Sequence, residues 1–309
     1  MKLPTVALEV TYKVTHPAVL YHLSKMSRNM HISVKSLCRF VGNQYNMKVQ
    51  LSPDSNVFFV AHGGSGEEGI GIEKTSATRP QLDGITEAKM AAEYSFDLFH
   101  LGDFRVRMSS DLETNSSNVA FEWIVKNQER LSGVVCFGDG PTDDQRYQRC
   151  LTAFQRAPNV RVSAKAANSF QMTEQVNTDA LSIDHARWIT IDTLSFFTCR
   201  VLLLLDHGLS NEDLNTFLKD MQSGIRVHPN ISTLLVRKTG LEINELLANI
   251  DENKVRFERG FFRAFPETDV FSVLDVEGET AVHCFESESN QLQFICFNFP
   301  QYDWSMADN

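Results

Sequence analysis

Apolar residues near the start of the chain recur at helical spacing. Val6, Val10 and Val14 share one face, and Leu20, Leu23, Met26, Met30 and Val34 form a second stripe. His16-Pro17 separates the two, and proline suits the first turn of the following helix. Helices this short are not stable alone. Residues 1–44 are therefore expected to be a small helical module packed on itself or on a partner.

The period then shortens. Tyr45–Leu51 alternates, and Val57–Ala61 is a β-rich run leading into HGGSGEEGIGIEKTSATRPQ. Glycines at 63, 64, 66, 69 and 71 leave that stretch too little apolar surface to offset its ordering entropy, which predicts a mobile loop over 62–81. Further β-type runs start near Phe104, Val134, Val160, Leu181, Val201 and Thr233, with helical stretches at Asn118–Arg130, Asp143–Arg156 and Ser210–Met221. After a first gap of 30, their start-to-start spacings are about 26, 21, 20 and 32 residues, the range of leucine-rich-repeat units. A general α/β sandwich accounts for part of the same pattern. In the clearest unit, VLLLLDHGLSNEDLNTFLKD, Ser210 or Asn211 can cap a helix whose apolar face is Leu214, Phe217 and Leu218. At the tail, Val270–Asp275, Ala281–Phe285 and Gln291–Phe297 read as a β-meander, followed by a polar end.

Composition narrows the function classes. Of 309 residues, 42% are hydrophobic, enough for one large core or two modest ones. Twenty-nine basic residues against 39 acidic ones give a net charge of −10, and no long basic run appears, so nucleic acid is not an expected partner. The six cysteines include no C-x-x-C pair. The N-terminus lacks a signal-peptide core, and the longest strongly apolar run, Val201–Leu205, is too short to span a bilayer. The expected setting is intracellular, cytoplasmic or nuclear, with no membrane and with cysteines buried as small hydrophobes.

Candidate chemistry is sparse. Gly64–Gly69 fits G-x-G-x-x-G, but no amphipathic helix follows, and Glu67 and Glu68 would place negative charge beside a bound phosphate. His62-Gly63-Gly64 is similar to an esterase oxyanion loop, yet the chain has no G-x-S-x-G elbow. Asp206 and His207 are adjacent and cannot face each other as a catalytic pair. Asp143-Asp144 and Glu212-Asp213 read as helix N-terminal charges, and Trp123 and Trp188 as core anchors. Phe257, Phe261, Phe262 and Phe265, interleaved with Arg256, Arg259 and Arg263, fit either core or a contact for an acidic peptide. No catalytic, cofactor-binding or metal residues are expected.

Two stretches carry a family likeness. Leu3-Pro4, Leu8, Pro17, Leu20, Leu23-Ser24 and Ser27 resemble an F-box of the nematode-type expansion. Phe121-Glu122-Trp123-Ile124 with Gln128, Leu181-Ser182-Ile183, Trp188-Ile189-Thr190 with Asp192 and Leu194, and above all Leu209–Lys219 followed by Gly224 and Asn230–Leu234, resemble the type 2 F-box-associated domain.

The resemblance implies a substrate-recognition subunit of a Skp–cullin–F-box ubiquitin ligase. Residues 1–44 would be a degenerate F-box-like helical module, docking on a Skp-type adaptor through Leu3, Pro4, Leu8, Pro17, Leu20, Leu23 and Ser24, with Leu20 and Leu23 exposed until the adaptor covers them. Residues 45–117 would hold the first repeats and the glycine-rich loop, 118–255 the F-box-associated repeat platform, and 256–309 a C-terminal β segment. The expected fold is α/β: a helical module, then an irregular leucine-rich-repeat-like solenoid and a meander. The partners would be the adaptor, the cullin scaffold and a target protein, with no cofactor. Such a subunit has no catalytic residues and acts by proximity. Departures from the pattern keep a ligase-independent binding protein open as the alternative. Thr11 and Tyr12 replace an apolar pair, Thr15 replaces Met or Leu, Val19 stands where an acidic residue is common, and Met221 stands where Trp is typical. A polar group left unsatisfied on a buried helix face costs about 1–3 kcal/mol.

Overall fold

The structure is a computed structural model that describes residues 17–41, 45–53, 56–62, 70–71, 81–101, 103–223, 231–238, 243–251, 253, 255–259, 269–274, 280–286 and 293–297. The chain divides into two compact units, Met1–Gly140 with Arg156–Pro158, and Pro141–Gln155 with Asn159–Asn309. The division falls inside the platform that the sequence places at 118–255. Both units are mixed α/β with parallel central strands flanked by antiparallel ones, and seven α-helices lie among the described residues. No helix among them is long and apolar enough to cross a membrane.

The first unit runs α1 (Pro17–Met26), α2 (Arg28–Val41), β1 (Tyr45–Leu51), β2 (Asn56–His62), β3 (Ile70–Gly71), α3 (Gln81–Phe99), β4 (Phe104–Ser109), α4 (Thr114–Lys126), a 3-10 turn at Gln128–Arg130 and β5 (Leu131–Phe137). The strand order is β3-β2-β1-β4-β5, with β1, β4 and β5 parallel and β2 antiparallel to both its neighbours. Most of the stretch expected as a mobile glycine loop lies outside the described residues. Within it, Ile70 and Gly71 pair with Val60 and Phe59 of β2. The stripe Val6, Val10, Val14 also lies outside.

The helix α3 is absent from the sequence reading, yet its inner face follows helical spacing: Ile85, Ala88, Ala92, Phe96 and Phe99 are all buried. Alanines dilute that stripe and Gly84 sits in its first turn, which hides the period. Phe104 of β4 meets Phe96 of α3 and Trp123 of α4, with ring centroids 4.5 and 5.8 Å away. The helices therefore cover the sheet face that carries Phe104.

Polar contacts fasten α1 and α2 to α3. The Ser24 hydroxyl donates to the Tyr21 carbonyl at 2.7 Å, and the Tyr94 hydroxyl lies 2.7 Å from Ser24 Oγ and 3.0 Å from His31 Nδ1. His31 Nε2 is 3.5 Å from an Asp97 carboxylate oxygen, and Lys35 Nζ pairs with the other. The Lys35 hydrogen bond holds the Asp97 carboxyl below its ordinary range, against partial burial, with Lys35, His31 and His100 charges adding to the effect.

The second unit runs β6 (Pro141–Thr142), α5 (Asp144–Thr152), β7 (Asn159–Val162), β8 (Lys165–Ala166), β9 (Val176–Asn177), β10 (Ala180–Ile183), β11 (Phe197–Leu205), α6 (Asn211–Gln222), β12 (Ile231–Lys238), α7 (Ile243–Leu246) and the strands β13 (Val255–Arg259), β14 (Asp269–Leu274), β15 (Thr280–Glu286) and β16 (Gln293–Phe297). β7, β10, β11 and β12 lie side by side in chain order, all parallel. β16 pairs antiparallel with β12, and β15, β14 and β13 follow outward, so the tail strands extend this sheet. The connections are not uniform helices. A 3-10 turn at Asp192–Phe196 leads into β11, and only α6 joins β11 to β12.

Local chemistry explains the helix starts. The Asp143 carboxylate accepts the Arg146 N–H at 3.0 Å, capping α5 one residue inside the expected start. Ser210 and Asp213 form a reciprocal cap: the Asp213 N–H donates to Ser210 Oγ at 3.0 Å, and the Asp213 carboxylate accepts the Ser210 N–H at 2.7 Å. Asn215 then donates its amide to the Leu246 and Ala248 carbonyls at 2.6 and 3.0 Å, tying α6 to the α7 segment.

Two outcomes follow for stability. Phe104→Ala should cost about 3–5 kcal/mol by urea denaturation, whereas Arg105→Ala, one position along on the opposite sheet face, should stay within about 0.5 kcal/mol of wild type. Asp97→Asn should lose roughly 0.2–1 kcal/mol at neutral pH, the worth of an exposed pair. Because the folded pKa is lowered, that contribution is present above the ordinary Asp range and is lost as pH falls through the folded value, so wild type and variant should converge in acid.

Candidate functional site

The adaptor residues expected from sequence distribute unevenly. Leu3, Pro4 and Leu8 lie outside the described residues. Pro17 begins α1 and is buried, Leu20 is fully buried, and Ser24 is 2% exposed and engaged with Tyr94. The expectation that Leu20 stands exposed until an adaptor covers it is therefore corrected, because α1 packs on α2 and β2 and turns Leu20 inward. Leu23 is half-buried. The outward stripe of α1 is Val19, His22 and Met26, with Leu23 at its margin. Val19 is 47% exposed and Met26 74%, and Ile32 of α2 is 53% exposed. In the sequence Val19 stands only as a departure from pattern, and Met26 falls in the same apolar stripe as Leu20 and Leu23. The i, i+3, i+7 spacing of 19, 22 and 26, out of phase with Leu20 and Ser24, is the signal that separates the two faces.

The parallel strands of the second unit also have two unlike faces. Val160, Val162, Leu181, Ile183, Leu202, Leu204, Leu234 and Val236 are buried to 3% or less. Their registers place Arg161, Ser182 and Leu203 side by side on the other face, and all three are half-buried. One row further, Ser163, Asp184 and Leu205 continue that face and are also half-buried.

Polar groups gather at the carboxyl ends of these strands. The Asp184 carboxylate accepts the Ser163 hydroxyl at 2.6 Å and the Arg161 Nε at 3.1 Å, with Arg161 Nη2 at 3.0 Å. Asp206 takes a left-handed φ of 46°, a conformation that costs a non-glycine residue energy. Its carboxylate accepts Arg187 Nε at 2.8 Å and lies 3.8 Å from His185 Nδ1. His207 Nδ1 accepts the Leu209 N–H at 3.1 Å, which places His207 in the strand-to-helix turn as expected. A Cβ on Gly208 would run into the Arg187 carbonyl, so glycine lets this turn pack close. The signal for this edge was present in the sequence as a repeated pair, with Asp184-His185 after β10 and Asp206-His207 after β11.

This arrangement suits recognition. Carboxylates and guanidiniums are fixed by one another beside the half-buried side chains of Leu203 and Leu205, a mixture that can orient a polar peptide. Ser163 donates directly to Asp184, and the neighbouring His185 faces Asp206, so no serine–histidine relay forms. The cysteines Cys38, Cys136, Cys150 and Cys199 are buried. Burial pushes the Cys38 and Cys199 thiols up to about 12, keeping them protonated and unreactive at neutral pH. No cluster of His, Cys, Asp or Glu that could hold a metal ion occurs among the described residues. Trp188 and Tyr147 join an aromatic group with Phe170 and Phe197, and the indole N–H donates to the Tyr147 hydroxyl at 3.2 Å. Trp123 is buried with its N–H on Glu93. The Phe257–Phe265 cluster lies outside the described residues apart from the backbone of β13.

No curated protein and no solved structure matches the chain. The family model described as F-box associated matches residues 170–235, from Phe170 in the aromatic group to Leu235 in β12. The match takes in β9, β10, β11, α6 and the start of β12, with the carboxyl-edge cluster from Asp184 onward, and leaves Phe121–Ile124 outside. Residues 170–235 thus carry an F-box-associated domain.

Proposed function

We propose that this chain is a substrate-recognition subunit of a Skp–cullin–F-box ubiquitin ligase, holding a target protein on its second unit. The observation that carries the reading is the F-box associated match over residues 170–235, which takes in Ser182 and Leu203 of the half-buried face and the charged edge from Asp184 onward, while Arg161 and Ser163 precede it. The outward stripe of α1 supports adaptor docking: Val19, Leu23 and Met26, with Ile32 on α2, offer apolar surface on the helices where an F-box-like module is expected. Function then comes from tethering, which raises the concentration of target lysines near a ubiquitin thioester without a catalytic residue in this chain.

A second reading has its own observation. Leu20 and Ser24 are spent on the chain's own core, so α1 and α2 belong to the first unit and are not a detachable module. A ligase-independent binding protein that has lost adaptor docking would look this way.

A pull-down with purified Skp-type adaptor separates the two. Wild type should capture adaptor, and Val19→Asp/Met26→Asp should lose capture while melting like wild type, since both side chains stand exposed on α1. Failure of folded wild type to capture adaptor would favour the ligase-independent reading. Leu20→Asp is unsuitable for this purpose because it places a charge in the core.

A further inference from the structure

The first unit carries a concentration of unpaired positive charge that neither the packing nor the ligase reading uses. Along β4 the residues alternate: Phe104, Val106 and Met108 are buried under the helices, and Arg105 and Arg107 point to the other face, Arg105 exposed and Arg107 half-buried. The register sets Lys48 of β1 beside Arg105 and Gln50 beside Arg107. On the far side, Arg105 faces Gly133 of β5, which has no side chain, and Arg107 faces Val135. Three cations therefore share one face of adjacent parallel strands, whose spacing is about 5 Å.

None of the three has an ion-pair partner among the described residues. Elsewhere in the chain, Arg161, Arg187 and Arg200 each meet an aspartate. Arg107 instead lies over the Phe137 ring, 5.1 Å from its centroid. The nearby Asp111 carboxylate is engaged at the strand ends, where it accepts the Asp139 N–H at 3.3 Å and approaches the Ser109 and Ser110 hydroxyls at 3.5 and 3.4 Å. Like charges set side by side on a sheet oppose folding. A chain of net charge −10 has acidic residues in excess, yet it leaves these cations together on a face that the helices do not cover. Departures of this kind from local consistency belong at functional surfaces.

We propose that the sheet face formed by Lys48, Arg105 and Arg107, with Val135 and Phe137 beside it, docks an acidic segment of a partner protein. Charge complementarity selects the occupant. Carboxylates pair with the two guanidiniums and the ammonium, and an apolar side chain of the same segment rests on Val135 and the exposed part of Phe137. The segment lies across the face, because β1, β4 and β5 already have strand neighbours on the sides described. The inference stands apart from adaptor docking, since a chain that never meets the adaptor would keep this face.

Fluorescence anisotropy with a labelled peptide of ten glutamates around one central leucine tests it, using the full chain. Binding should be detectable at about 50 mM salt and weaken as salt screens the charges. Arg105→Gln/Arg107→Gln should bind at least ten-fold more weakly. Lys126→Gln, on the exposed side of α4, should bind like wild type, and all three proteins should melt alike. Three results would overturn the proposal: no binding by wild type, equal binding by the double variant, or equal binding of a peptide with glutamine in place of glutamate. Tighter binding of a ten-nucleotide thymidine strand would assign the face to nucleic acid and overturn the peptide class.

Discussion

The arrangement depends on the two-residue period of its parallel strands. Each strand must bury one row of side chains, and the same geometry turns the intervening row to the opposite face. In the second unit the buried row is aliphatic throughout, from Val162 across Ile183 and Leu204 to Val236, with no measurable exposure at any of the four. In the first unit the row of Val49, Val106 and Val134 does the same. Stability is concentrated on those rows, which leaves the facing rows free to vary. Arg161, Ser182 and Leu203 in one unit, and Lys48, Arg105 and Arg107 in the other, are residues that burial does not dictate.

The carboxyl ends of the strands show what that freedom permits. Asp184 and Asp206 each follow a strand of the F-box associated segment, and each draws in an arginine from elsewhere in the sequence. Asp206 does so in a left-handed conformation, held by the close turn at Gly208. Fixing polar side chains before a partner arrives lowers the entropy lost on binding. A chain that acts through recognition would concentrate such features where strands end, and a tethering subunit needs little else.

Much of this was readable from composition and pattern, and the misses have physical causes. The strands β4, β5, β7, β10, β11 and β12 announce themselves as short β-type runs, whereas the two-residue strands β6, β8 and β9 carry no run to read. α6 was legible from a cap at Ser210 or Asn211 and the apolar face of Leu214, Phe217 and Leu218, and the structure resolves the cap to Ser210 with Asp213. The helix α3 was missed because Ala88 and Ala92 bury as well as leucine does but weigh little in a periodicity. Leu20 and Met26 both lie in an apolar stripe; the spacing of 19, 22 and 26 marks a second face, and packing decides which of the two turns inward. Neither register nor lateral neighbours can be read along one strand, so the meeting of Lys48 with Arg105, 57 positions apart in number, was invisible. The Asp-His pairs after β10 and β11 were visible but gained meaning only once their strands proved adjacent.

The proposed function places an adaptor face on α1 and a target face on the sheet of the second unit, apart from the cationic face of the first unit. Photo-crosslinking in cells, with a benzophenone amino acid placed singly at Met26 and at Leu203, tests it most directly. The account predicts that position 26 captures a Skp-type adaptor and position 203 captures a different protein bearing ubiquitin. Adaptor captured from both positions, or from neither, would contradict it.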